Sequence, residues 1–133
     1  MKSIPFCNEL RFTEKCEYRL GGSKGAITSP NHPSNYPGNL DCSYYLTLRV
    51  GAQIKLKFET FDLEKTSQCD YDYLKIQDGG DSSAPVLGKY CGNTKPSDVT
   101  SSKNKLYLRF VSDARNAGKG FKLSWEEVKE EGK

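Results

Sequence analysis

The stretch that decides the fold is CSYYLTLRVGAQIKLKFE, residues 42–59. Apolar side chains stand at every second position in both of its halves: Tyr44, Leu46 and Leu48, then Ile54, Leu56 and Phe58. Strict alternation is typical of a β-strand with one buried face and one solvated face. Because a turn around Gly51 separates the two halves, we predict a hairpin with one buried face and one solvent-exposed face.

The same alternation recurs in short runs along the rest of the chain. The runs are 73–78, 87–90, 106–110 and 121–125, and they are bounded by Gly, Pro, Asn, Asp and Ser. Sequence patterns of a helix are nearly absent. Several short strands separated by turn residues predict an all-β fold, with a β-sandwich as the best architecture.

The bulk composition excludes several classes of function. A length of 133 residues suits one domain with one core. The 20 basic and 17 acidic residues are interspersed along the chain, so the net charge of +3 does not indicate a nucleic-acid binder. No apolar run approaches the ~20 residues that a membrane span needs. We therefore expect no nucleic-acid partner and no membrane insertion by this fragment.

The five cysteines, Cys7, Cys16, Cys42, Cys69 and Cys91, indicate the compartment. They form no Cys-x-x-Cys pair, and the chain has a single histidine, so a zinc site is disfavoured. Well-separated cysteines in a small β-rich chain favour disulfides and an oxidising environment. The spacing leaves the connectivity open. Sequential pairing, Cys16 with Cys42 and Cys69 with Cys91, would close two separate loops and leave Cys7 without a partner among these four.

The two ends of the chain differ from its middle. Residues 1–15 are unpatterned apart from one cysteine, and the chain ends in the charged run EEVKEEGK, residues 126–133. We therefore predict an N-terminal extension at 1–15, a domain at 16–128 and a charged C-terminal tail at 129–133.

From Cys16 to about Val128 the sequence resembles the CUB domain, an extracellular module of complement and tolloid-type proteases, cubilin, neuropilins and spermadhesins. The motifs that carry the resemblance are Gly25-Ala-Ile-Thr-Ser-Pro-Asn-His-Pro with Tyr36-Pro37, Cys42 with Tyr44, Phe58 through Phe61-Asp-Leu-Glu64, Cys69-Asp-Tyr-Asp-Tyr-Leu, Asp78-Gly79, Gly88-Lys-Tyr-Cys-Gly92, Pro96, Leu106-Tyr-Leu-Arg-Phe-Val-Ser-Asp113, Gly120-Phe121 and Trp125.

The resemblance implies a compact, jelly-roll-like sandwich of two antiparallel sheets with two disulfides, Cys16–Cys42 and Cys69–Cys91. Cys7 lies upstream of the family pattern, which implies that it is unpaired or bonded to another domain or chain. The resemblance also implies an extracellular location, in a secreted protein or the ectodomain of a membrane protein, as one domain of a larger chain.

Many CUB domains bind one calcium ion through acidic side chains from different loops. By motif, the resemblance implies that these ligands correspond to Glu64, Asp72 and Asp113, with Tyr36 as a supporting residue. The chemistry is coherent, since Ca²⁺ prefers six to eight hard oxygen ligands, and carboxylates are the commonest of these. Arg115 follows the third acid closely, and an inward position of its charge would weaken the site.

The leading interpretation is a non-catalytic module that binds an extracellular protein in a calcium-dependent way. Acids held by calcium would accept a Lys or Arg side chain of the partner in a charge-assisted bond. Asp70 is a spare acid nearby, either a partner contact or a solvated side chain.

Two other functions are open at this point. The first is a glycan or heparin binder that uses a basic strand face of Arg49, Lys55 and Lys57, as the spermadhesin branch of the resemblance implies is feasible. The second is an enzyme. With His32 as the only histidine and no His-Glu-x-x-His motif, no nucleophile and base can be named, and we expect no catalysis.

Overall fold

The computed structural model describes residues 13–113 and 118–129, with side chains through residue 128. Within these residues the chain forms nine strands and no helix. The strands are β1 (Glu14–Gly21), β2 (Lys24–Thr28), β3 (Leu40–Thr47), β4 (Ala52–Asp62), β5 (Tyr73–Gln77), β6 (Val86–Tyr90), β7 (Val99–Thr100), β8 (Lys105–Val111) and β9 (Gly120–Lys129).

The strands form two sheets packed as a sandwich. The first sheet has the order β1-β3-β8-β5-β6, and the second has the order β2-β9-β4-β7. All pairs are antiparallel except β1 and β3, which run parallel at one edge of the first sheet. The predicted all-β sandwich is therefore confirmed, with one parallel pair that the alternation pattern did not indicate.

The hairpin predicted at residues 42–59 is wrong. Its two halves are β3 and β4, which lie in different sheets. The chain crosses from one sheet to the other at residues 48–51, where the amide of Ala52 donates a hydrogen bond to the carbonyl of Arg49 (3.2 Å). Both apolar faces point into the same core, one from each sheet, and alternation alone does not separate this arrangement from a hairpin.

The inner faces of the two sheets form one hydrophobic core. Its large fully buried apolar members come from six strands: Ile27, Leu46, Ile54, Leu56, Leu74, Ile76, Leu106, Leu108, Phe110, Phe121 and Leu123. Phe110 and Phe121 meet edge to face with their centroids 5.1 Å apart, and the ring of Tyr36 stands at 90° to Phe110 at 5.0 Å. Aromatic packing of this kind fixes ring orientation. The core thereby holds Tyr36 at one end of the sandwich.

Two disulfides connect segments that are far apart in sequence. Cys16–Cys42 joins the paired strands β1 and β3, and Cys69–Cys91 joins the β4–β5 loop to the end of β6. The predicted pairing is confirmed. Cys7 and Arg115 lie outside the described residues. Across the part of the chain that is described, no helix is long and apolar enough to cross a membrane.

Candidate functional site

The predicted metal ligands lie on three separate segments that meet at one end of the sandwich. Glu64 follows β4 by two residues, Asp72 immediately precedes β5, and Asp113 follows β8 by two residues. Because β5 and β8 are antiparallel neighbours, with Tyr73 opposite Val111, the start of one strand lies beside the end of the other. β4 reaches the same end from the second sheet.

The three acids are close enough to share one cation. Each offers a carboxylate oxygen, and these oxygens all lie within 4.8 Å of one another. Calcium binds oxygen at 2.3–2.6 Å, so two ligands of one ion are separated by at most about 5 Å. Asp72 is fully buried, whereas Glu64 and Asp113 are half-buried. The donor set therefore fits calcium in chemistry and in spacing.

Hydrogen bonds hold the central acid in place. The Tyr36 hydroxyl donates to Asp72 Oδ2 (2.5 Å), and the Asp113 amide donates to Asp72 Oδ1 (2.8 Å). The same hydroxyl accepts a hydrogen bond from the Glu64 amide (3.1 Å). One tyrosine and one carboxylate thus tie together all three segments that supply acids.

Electrostatics at the cluster make Asp72 harder to ionise than an ordinary aspartate in the metal-free protein. Burial raises the pKa of Asp72 to about 6, and the charges of Asp113 and Glu64 add to this effect. The hydrogen bonds from Tyr36 and from the Asp113 amide oppose it, because they stabilise the carboxylate. Burial and the neighbouring carboxylate also raise the pKa of Tyr36, so its hydroxyl remains a proton donor.

The segments that carry the acids are anchored to the rest of the fold. The Leu63 amide donates to the carbonyl of Gly92 (2.9 Å), next to the Cys69–Cys91 disulfide. The Asn39 amide donates to the carbonyl of Asp113 (2.9 Å). Ser112 was not singled out from the sequence, yet its hydroxyl donates to the carbonyl of Pro37 (2.9 Å) and ties the β8 end to the segment after Tyr36. The only sequence signal for this contact is its place beside Asp113.

The residues of the predicted glycan face do not form a continuous basic surface. The Arg49 guanidinium donates to the Glu127 carboxylate (2.6 Å from Nε), and the Lys55 ammonium lies 3.8 Å from Asp98. Lys57 is exposed on the outer face of β4. Two of the three predicted cations are therefore paired with acids.

The remaining sequence candidates show no catalytic arrangement in the described residues. His32 Nδ1 lies 3.3 Å from the carbonyl of Lys119, in a surface loop. The described part of the chain has no Gly-x-Ser-x-Gly elbow, although residues 21–25 have that spacing. Gly21 ends β1 and Lys24 begins β2, so Ser23 lies in a strand-to-strand turn and not in the strand-to-helix elbow that activates a serine. Asp70 is exposed, and its amide donates to the Thr66 hydroxyl (3.3 Å).

Comparisons with known proteins identify the family of the fold. Residues 16–125 match the CUB domain family. The chain is 40% identical over 106 residues to mouse tolloid-like protein 2, which covers 80% of this chain and 10% of that protein. It is 46% identical over 102 residues to pig cubilin, covering 75% of this chain and 3% of that protein.

Solved structures show the same fold. The CUB2 domain of MASP-1 bound to Ca²⁺ is 33% identical with a TM-score of 0.73, covering 81% of this chain and 96% of that chain. The CUB1-EGF-CUB2 domains of rat MASP-1 are 27% identical with a TM-score of 0.74, covering 84% and 42%. On the family match, the disulfide pairs and the two-sheet fold, this chain belongs to the CUB domain family.

Proposed function

We propose that this chain is an extracellular protein-binding module whose acidic cluster binds calcium and presents carboxylate oxygens to a Lys or Arg of its partner. The chain spans about a tenth or less of the length of mouse tolloid-like protein 2 and pig cubilin, so the proposal places it as one domain of a larger protein. The two disulfides are consistent with an oxidising extracellular compartment.

The observation that carries this proposal is the convergence of Glu64, Asp72 and Asp113 within 4.8 Å. Three carboxylates at this distance repel one another, and one of them is fully buried. A bound divalent cation would compensate that repulsion. The similarity to a CUB domain whose structure contains Ca²⁺ supports the same choice of ion.

Each residue has a separate part in the proposed site. Glu64, Asp72 and Asp113 would hold the ion, and calcium would supply positive charge that keeps all three acids ionised and their loops fixed. Tyr36 positions Asp72 through the 2.5 Å hydrogen bond. The half-buried acids Glu64 and Asp113 are accessible enough to accept an ammonium or guanidinium group from outside. Hydrogen bonds between charged groups are about twice as strong as neutral ones.

Calorimetric titration with CaCl2, paired with thermal melts in calcium and in chelator, tests the metal. We expect heat of binding and a higher Tm in calcium. Asp72→Ala and Asp113→Ala should abolish both. Asp70→Ala is the matched control, since Asp70 is an exposed acid of the same loop, and it should behave like the natural chain. No heat and no change in Tm for the natural chain would contradict the proposal.

A second experiment tests the choice of partner group. A short peptide with a single lysine is titrated into the calcium-loaded protein while amide shifts are followed by NMR, and the same peptide with norleucine serves as control. We expect calcium-dependent shifts near Glu64 and Asp113 with lysine alone. Equal shifts with both peptides would contradict recognition of a basic group while leaving the calcium site intact.

A further inference from the structure

The outer face of the first sheet carries an excess of positive charge. Side chains alternate between the two faces of a strand, so residues next to buried core positions point outward. Six basic and two acidic strand residues do so: Lys15, Arg19, Lys75, Lys89, Lys105 and Arg109, against Glu17 and Asp41. This outer face was not recognised as basic from the sequence, because its residues come from five separate strands.

Three of these cations form a row across neighbouring strands. Arg109 on β8 stands opposite Lys75 on β5, and Lys75 stands opposite Lys89 on β6. Neighbouring strands lie about 4.8 Å apart, so the row spans roughly 10 Å. We call these three residues the cation row. Directly opposed like charges destabilise a sheet, so folding alone does not require the cation row.

The two acids of this face pair with Lys15 and with its two arginines, Arg19 and Arg109. Asp41 accepts two hydrogen bonds from Arg109 (2.9 Å each) and lies 3.8 Å from Lys15, and Glu17 pairs with Arg19. Within residues 13–113 and 118–128, neither lysine of the cation row forms an ion pair with an acid. The two lysines therefore contribute positive charge that the described part of the fold does not neutralise.

The surroundings of the cation row are polar and ordered. Asp41 orients the Arg109 guanidinium through two of its five N–H donors, and the others remain for a ligand. A depression of about 370 Å³ lies beside it. Its lining includes the acids Glu17 and Asp41 and the hydroxyls of Ser43 and Tyr107, which lie 2.9 Å apart. At the far end of the row the Lys89 ammonium lies 4.4 Å from the centre of the Tyr73 ring. Fixed cations next to hydroxyl groups suit a ligand with both anionic and hydroxyl groups.

We propose that the cation row binds a linear sulfated glycan, with sulfate or carboxylate groups on Arg109, Lys75 and Lys89 and sugar hydroxyls in the depression. A protein partner is a poorer fit, because lysine is depleted at protein interfaces and these usually have an apolar centre. The exposed large hydrophobic residues of this sheet lie on its two edge strands, Val86 and Leu87 on β6 and Tyr18 on β1. The two disulfides favour an oxidising compartment, and the choice of a glycan as ligand rests on the extracellular location proposed above.

The outer face of the second sheet provides an internal control. There Glu126 stands between Lys24 and Lys55 in the register, so the cations of that row alternate with an acid. Lys57, on the same face of β4, stands opposite Ser124, whose hydroxyl donates to the Glu59 carboxylate (2.7 Å). The pair Lys55 and Lys57 therefore carries the same charge as the pair Lys75 and Lys89, but its surroundings are different.

Calorimetry with a heparin octasaccharide tests the proposal. We expect the double variant Lys75→Gln and Lys89→Gln to bind at least tenfold more weakly than the natural chain. The matched double variant Lys55→Gln and Lys57→Gln should lose less than twofold. Binding should weaken steeply between 50 and 150 mM salt and persist in chelator, which separates it from the calcium site. Thermal melts check folding, and the exposed single variant Lys89→Gln replaces the double variant if that one is unstable.

Several outcomes would overturn this assignment. Equal weakening in both double variants would mean that only net charge matters. Loss of binding in chelator would mean that the glycan binds at the acidic cluster through its ion. Equal binding of desulfated heparin would remove the role of sulfate. Tighter binding to phosphatidylserine vesicles or to a DNA duplex than to heparin, sensitive to the same lysines, would assign the cation row to those polyanions.

Discussion

The acidic cluster and the cation row both bring three like charges together, but the fold does this in different ways. The acids come from loops at one end of the sandwich, and one of them is fully buried and fixed by hydrogen bonds. The cations come from strands, are aligned by strand register, and are half-buried or exposed. Burial is the main difference between the two regions.

Burial decides how much the repulsion costs. Two like charges 5 Å apart repel by about 3 kcal/mol at an effective dielectric constant of ~20, and by less than about 1 kcal/mol in water. The buried cluster therefore needs a counter-ion or a proton at all ordinary salt concentrations. The cation row is screened by salt within about 10 Å. From this comparison, substitutions at the cluster should change the free energy of unfolding strongly, and substitutions at the cation row should change it only slightly.

The largest effect is expected for Tyr36→Phe. The substitution removes the hydroxyl that donates to Asp72 and accepts from the Glu64 amide, and it leaves buried polar groups without that partner. We expect a loss of about 1–3 kcal/mol in the free energy of unfolding, measured by urea titration in chelator. Tyr71→Phe is the control, because Tyr71 is 53% exposed and should cost nothing measurable. Equal stability of both variants would mean that the cluster is not held by Tyr36.

The next effect is the pH dependence of the calcium-free protein. The pKa of Asp72 is raised from an ordinary value near 3.9 to about 6 by burial and by the neighbouring acids. A raised carboxyl pKa stabilises the fold fully below the unfolded value, and this contribution is lost as pH rises through the folded value. In chelator, the free energy of unfolding should therefore contain a component that falls by about 1–2 kcal/mol between pH 4 and 7.

Comparison with Asp72→Ala isolates this component, because the variant lacks the titrating group. Excess calcium should reverse the trend in the natural chain, since the ion binds the deprotonated acids. If the free energy of unfolding of the natural chain, relative to that of Asp72→Ala, rose from pH 4 to pH 7 in chelator, it would contradict a buried carboxyl group that is repelled by its neighbours.

The two regions also differ in how far the sequence predicted them. The acids are far apart in the chain, and spacing alone does not bring Glu64, Asp72 and Asp113 together; the motif resemblance placed all three. The cation row needs the pairing of β8, β5 and β6, and pairing between strands is a tertiary property that no local pattern contains. The alternation at 73–78, 87–90, 106–110 and 121–125 predicted β5, β6, β8 and β9 closely.

The features that the sequence did not predict depend on contacts between distant segments or on the exposure of an edge strand. Residues 42–59 were predicted as two strands, which is correct, but as a hairpin, which is wrong, because alternation shows which face is buried and not which sheet supplies it. β1 was missed as a strand because Glu14 to Gly21 expose most of their side chains at a sheet edge. The pairing of Arg49 with Glu127 joins residues 78 positions apart, and no local sequence pattern indicated it.

A third prediction concerns Asp41, which links the cation row to an acid. The hydrogen bonds from Arg109 hold the pKa of Asp41 below its ordinary value, against the effect of burial. This stabilisation is present above the unfolded pKa of about 4 and is lost as pH falls through the lower folded pKa. We expect Asp41→Asn to cost about 1 kcal/mol at pH 7 and less at pH 2–3, by urea titration.

Glu17→Gln is the matched control for Asp41→Asn. Glu17 pairs with Arg19 on the same outer face, but both side chains are more than half exposed, so the cost should be below about 0.5 kcal/mol. Equal costs at the two positions would mean that partial burial does not strengthen charge pairing on this face, and the distinction between the two regions would lose its basis.

The smallest effect is expected for Lys75→Gln, and its sign is opposite. Lys75 stands between Arg109 and Lys89, so removing its charge relieves repulsion on both sides. We expect stabilisation by about 0.3 kcal/mol in 20 mM salt and none in 1 M salt, by thermal melts without ligand. Lys55→Gln, next to Glu126 in the register, should be slightly destabilising instead. If Lys75→Gln destabilised the chain at low salt, the cation row would be a structural feature, and its excess charge would no longer point to a ligand.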